Sequence, residues 1–262
     1  MTRLIRIELL KMRTTRVSFG LLATAATLTA LFTSLEAGRA GNGKNGVDPL
    51  SSASGLTTVT TATGWAMLFA AVLGVIASGG EFRHGTATLT YLTVPNRSRV
   101  LIAKTLAAAG AGAIFGLVAA VIASTVGLSF VASHHYPVAL SAGTIAGHAA
   151  GAAVGAALLA TVGVGIGSLI RSQLAGVIGI FVWGIVIESL LGGLFTSLRP
   201  YLPYTAATTL AGIKLGGAAF GAAHGATGGS PLPFAAAAGL VTALAILISA
   251  AAARTTLKHD IS

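Results

Sequence analysis

The chain has 262 residues, 54% of them hydrophobic and only 8% charged, with a formal charge of +10 and a mean hydropathy of +0.87. A soluble domain carries about 25% charged residues, so an ordinary soluble protein is excluded and an all-α polytopic membrane protein is expected. Cysteine is absent, which rules out disulfides and thiolate metal sites. Each span needs about 20 residues plus a connection, so this length predicts roughly six transmembrane helices. The 35 glycines suit helices that pack closely in lipid. The Gly/Ala-rich, Cys-free composition fits a bacterial source.

Residues 1–16 carry Arg3, Arg6, Lys11, Arg13 and Arg16 against the single acid Glu8, interleaved with Leu4, Ile5, Ile7, Leu9, Leu10 and Met12. Two readings fit: an N-terminal interfacial helix with basic groups toward anionic headgroups, or a basic anchor that orients the next span. The first span is expected at about 17–35. A basic start before an apolar run also suits a signal peptide, but this run exceeds the usual core of about 7–15 residues, which favours an uncleaved span. Residues 36–61 read as an exposed loop. Within it, Gly38 to Asn45 mimics a phosphate-binding loop. That motif needs a hydroxyl after Lys44, where Asn45 stands, and a preceding strand rather than a membrane span. No nucleotide site is expected elsewhere.

The second span is expected at 62–78, with Trp65 near its outer end as an interfacial anchor. Residues 79–104 form a polar connection bearing Arg83, Arg97, Arg99 and Lys104. The third span follows at 105–131, or from Leu101, and a turn at 133–137 leads to the fourth at 141–169. There Gly143, Gly147, Gly151 and Gly155 recur every four residues, with Gly163 and Gly167 in the same register. Such a bare stripe predicts close backbone packing, against a helix of this chain or of a second copy. After a break at 171–173 comes the fifth span, 174–195, with Trp183 and the acid Glu188. Residues 196–232 are too apolar for a plain loop and too broken for a span. They predict re-entrant or interface-lying helices on the outer side, covered by protein. The sixth span is expected at 234–253, followed by a tail at 254–262.

With the N-terminus inside, segments 1–16, 79–104, 170–173 and 254–262 hold twelve Lys and Arg, against four in the outer segments. This bias obeys the positive-inside rule and places both termini in the cytoplasm. The positive charge therefore reads as membrane orientation, and nucleic acid is not expected as a partner.

Chemistry-bearing residues are few. Glu188 is the only acid within a span, where a charge costs about 2.5–3.5 kcal/mol or more. It either lines a substrate route or outer gate, or is a structural acid paired with Arg199 or Lys214 or snorkelling to the surface. Glu81 and His84 could share a helical face, but no third ligand is near, so no metal is expected. No Ser/His/Asp arrangement has an orienting acid, so the chain is not read as an enzyme. Within 79–104, Gly85 permits a turn, Thr86 can cap a short helix over 87–92, and Pro95 stops it. Leu89, Tyr91, Leu92 and Val94 would suit the groove of a soluble partner. The plainer reading is an ordinary positive-inside loop.

The pattern Glu81-x-x-x-Gly85-Thr86-x-x-x-Leu-x-x-x-x-Pro95-x-Arg97 resembles the cytoplasmic loop of ATP-binding-cassette type-2 permeases. The basic start resembles their interfacial connecting helix. Trp183-x-x-x-x-Glu188-x-Leu190-Leu191, followed by Arg199-Pro-Tyr-Leu202-Pro203, resembles a subgroup common in actinobacteria. The resemblance implies an exporter subunit of the plasma membrane, paired with a second permease copy or paralogue and with a separate cytosolic ATPase. Glu81, Phe82, Arg83, His84, Gly85, Thr86, Pro95 and Arg97 would then form the coupling element. ATP and Mg would bind the partner, leaving this chain without a cofactor. The alternatives are an ATP-independent secondary carrier, for which no internal duplication is found, a structural membrane subunit, and, less favoured, an intramembrane enzyme.

Overall fold

A computed structural model describes residues 1–41, 48–83, 97–170, 172–213 and 230–258. Its helices are α1 (Thr2–Thr14), α2 (Arg16–Gly41), α3 (Ala53–Thr60), α4 (Gly64–Arg83), α5 (Arg97–Ser133) and α6 (Ala142–Ile170). Then come α7 (Gln173–Leu194), which is π-helical over Val182–Ile187, α8 (Pro203–Leu210) and α9 (Phe234–Lys258). No strand occurs among the described residues. Six helical stretches are long and apolar enough to cross a membrane: Arg16–Ala40, Ala53–Glu81, Ser98–Ser133, Ala142–Ile170, Gln173–Leu194 and Phe234–Arg254. The chain is an all-α polytopic membrane protein.

The helices outrun the expected spans at several ends. α4 continues to Arg83 and α5 starts at Arg97, so the connection once drawn at 79–104 narrows to 84–96. Phe82 and Arg83 close α4, and Arg97 opens α5. His84, Gly85, Thr86 and Pro95 lie outside the described residues, as do 214–229 of the outer connection and 259–262 of the tail. The stretch expected as an exposed loop at 36–61 is also more ordered. α2 runs on to Gly41, and α3 is capped by Ser52, whose hydroxyl accepts from Gly55 N at 3.0 Å. The reason is apolar burial: Leu50, Leu56 and Val59 pack with Ala37, Ala40 and Val131 into a small core of their own. The phosphate-loop mimic starts inside α2, where a true one would follow a strand.

α4 lies at the centre. Of the apolar stretch that includes it, 83% is buried inside the protein, against 17% for the stretches of α2 and of α9. Those outer helices present their side chains to lipid. α6 packs along α4 and α5, and glycine permits this at the points of closest approach. A methyl group on Gly163 would strike the carbonyl oxygen of Ala71 on α4, and one on Gly151 would strike that of Leu210 on α8. Gly155 faces the carbonyl oxygen of Ala207, and Gly167 faces Val75 and Ser78. The glycine stripe thus finds its partner helices within this chain from Gly151 onward. Gly143 meets only the hydroxyl of Ser141, and Gly147 meets nothing within 4 Å. Threonine hydroxyls along the spans fold back on carbonyls one turn earlier, as Thr24 does on Gly20 and Thr105 on Leu101, both at 2.9 Å. Such bonds satisfy polar groups where water is absent.

The two halves of the stripe should answer substitution differently. Gly163→Ala is expected to destabilise the protein by about 1–3 kcal/mol through overpacking. Gly147→Ala should be neutral or stabilising by up to about 1 kcal/mol, because alanine costs less backbone entropy. Thermal unfolding in detergent checks both.

Candidate functional site: a buried ion cluster at the basic end

α1 turns one narrow side toward the bundle, and that side contains an acid. Glu8 and Met12 are its buried residues. α5 brings Lys104, and the last turn of α4 brings Glu81. The Lys104 ammonium donates to Glu8 Oε2 at 2.8 Å, to Glu81 Oε1 at 2.9 Å and to the carbonyl oxygen of Ala77 at 2.9 Å. These three acceptors match the three protons of an ammonium. Lys11, one turn beyond Glu8, donates to Glu8 Oε1 at 2.7 Å and to Glu81 Oε1 at 3.1 Å. Two carboxylates and two ammoniums form a charge-balanced group joining α1, α4 and α5.

Two of its members are withdrawn from solvent, Glu8 at 6% and Lys104 at 4% exposure, whereas the Lys11 side chain is 46% exposed. Taking such ions out of water costs several kcal/mol each, so the cluster persists only because each ion meets an opposite charge and hydrogen bonds. Burial alone would raise the Glu8 carboxyl, but Lys104 and then Lys11 outweigh it and hold it below its ordinary value. Burial likewise works against the Lys11 ammonium, yet Glu8 and Glu81 leave it above its usual range. Both groups therefore stay charged at neutral pH.

Of the residues expected to contact a soluble partner, Glu81 is thus engaged inside the protein. From the sequence, Lys11 and Glu8 belong to the interfacial helix or basic anchor, and Lys104 only to the polar connection and its positive-inside count. The sequence did carry one hint. The chain has six acids, and two of them sit inside its two most basic segments, where an acid is useful chiefly as an internal counter-ion.

Glu188 occupies the opposite half of the bundle, 3% exposed. Its Oε1 accepts from Trp183 Nε1 at 2.8 Å and from Tyr204 N at 2.7 Å. Its Oε2 accepts from Thr205 N at 2.9 Å and from Thr205 Oγ1 at 3.0 Å. Tyr204 and Thr205 are the second and third residues of α8, whose first is Pro203 and has no N–H to satisfy. Glu188 therefore caps a helix remote from its own. It answers orphan amides with its two carboxyl oxygens at the positive end of the helix dipole. Its carboxyl oxygens are thus held by a helix N-terminus. Lys214 lies outside the described residues, and the stem of Arg199 packs near Gly192, one turn beyond Glu188. Trp183, Glu188 and Pro203, separate features of the sequence, belong to one hydrogen-bonded unit. Among the described residues no group of three His, Cys, Asp or Glu could hold a metal ion.

No protein-family model matches this chain, and no curated protein matches it either.

Removing the Glu188 carboxylate should loosen α8. Because the chain has no cysteine, Thr208→Cys gives a single reporter on the buried side of α8. Adding Glu188→Ala strands two amides at about 1–3 kcal/mol each, about 2–6 kcal/mol together, so maleimide labelling that requires α8 to open should rise by at least about thirtyfold. Labelling that does not change would refute the capping role.

Proposed function

We propose that the chain is the membrane-spanning permease subunit of an ATP-binding-cassette exporter in a bacterial plasma membrane. It would work as a dimer with a second copy or a paralogue. A separate cytosolic ATPase would bind ATP and Mg and supply the energy. The observation that carries this reading is the sequence pattern Glu81 to Arg97, placed between two spans at the end of the bundle richest in Lys and Arg.

Physical arrangement supports it. The helices that flank 84–96, α4 and α5, are clipped to each other and to α1 through Lys104. Force applied to that connection by a partner would reach two spans and α1 together instead of fraying one helix end. In this scheme Glu81 passes the load on, while Phe82, Arg83, His84, Gly85, Thr86, Pro95 and Arg97 meet the ATPase. At the other end, α8 and its Glu188 cap form a compact outer element between the fifth and sixth spans. The exported substrate would be drug-like, lipidic or a peptide.

The test is purification of the tagged chain from its native membrane. A cytosolic ATPase should accompany it, and Arg83→Glu should lower the ATP hydrolysis of that complex several-fold while the ion cluster stays intact. Substrate transport by the chain alone, with no ATPase present, would overturn the proposal.

A further inference from the structure

The ion cluster sorts the basic residues of α1 by type. Its one lysine, Lys11, turns toward Glu8 and Glu81. Its arginines, Arg3, Arg6 and Arg13, are exposed. At about 100° per residue, these three fall within about 80° of the helix circumference, away from the Glu8 side. The only acid of α1 is consumed inside. Among the described residues no ion pair within 4.0 Å includes Arg3, Arg6 or Arg13. The row is interrupted by apolar groups that are also exposed: Leu10 is 59% exposed and Ile7 45%. α1 cannot leave the membrane surface, because a single residue, Thr15, separates it from the span α2.

We propose that this outward arginine row is a binding site for anionic phospholipid headgroups. Three observations converge on that occupant. The row has uncompensated positive charge. Arginine presents a planar fork that matches phosphate oxygens in pairs, which lysine does not. Leu10 and Ile7 would be poorly placed against a hydrated protein surface but suit the boundary between headgroups and acyl chains. The cluster beneath sets the orientation: it engages Lys11, whose side chain is still 46% exposed, with Glu8 and Glu81, and leaves the three arginines on the far side of the helix. The inference does not depend on the transport reading, since it needs only the membrane and α1.

Native mass spectrometry of the full chain in mild detergent tests it, with phosphatidylglycerol and phosphatidylcholine titrated separately. The wild type should retain phosphatidylglycerol in preference. At about 1 kcal/mol per basic residue near an anionic surface, each arginine contributes about fivefold. The triple variant Arg3→Gln/Arg6→Gln/Arg13→Gln should therefore weaken phosphatidylglycerol binding by about a hundredfold. A triple Arg→Lys variant, which keeps the charge and loses the fork, should bind phosphatidylglycerol more weakly than the wild type and more tightly than the neutral variant. If the triple neutral variant does not fold, Arg6→Gln alone should still show the fivefold loss. Equal retention of the two lipids by the wild type, or an undiminished preference in the neutral variants, would overturn the proposal.

Discussion

A charge removed from water must be met by something else, and in this protein that requirement organises both ends of the bundle. At the basic end the answer is ionic: Glu8 and Glu81 against Lys11 and Lys104. At the other end it is dipolar: Glu188 against the first free amides of α8. Neither solution is local. The first draws an amphipathic N-terminal helix against the feet of two spans. The second holds a short buried helix that would otherwise end with unpaired amides in a nonpolar setting.

Between the two ends runs α6. Near the cluster its Gly163 and Gly167 lie on α4, and toward the other end its Gly151 and Gly155 lie on α8. Backbone contact of this kind leaves little room for one element to shift without its neighbour, because packed interiors resist small deformations. The same spine thus touches the helix that carries Glu81 and the helix that Glu188 caps. In an exporter, such a link would let events at the cytoplasmic end be felt at the outer one.

Much of the architecture was legible from composition. Long apolar runs separated by charge gave the six spans to within a few residues at most ends, because lipid imposes a minimum length. Helix ends that project beyond the apolar core were not legible, since hydropathy stops where lipid stops. α5 carries on through Lys104 to Arg97, and there Lys104 finds its partners inside the protein. The packing of α3 was missed because Leu56 and Val59 are too few to stand out among threonines and serines. The backbone partners of Glu188 left no signature: amides belong to every residue type, and only the fold shows which ones are bare. The ion cluster needed a pairing across 96 residues, Glu8 with Lys104, which no spacing rule reaches.

The account rests most heavily on that pairing, and a double-mutant cycle in the full chain measures it directly. Lys104→Met alone should cost about 3–5 kcal/mol, because it leaves two carboxylates with Lys11 alone against them. Glu8→Gln combined with Lys104→Met should cost less than the sum of the single changes, by at least about 1 kcal/mol. Additive effects, with no coupling between the two positions, would contradict the cluster and the placement of α1 that depends on it.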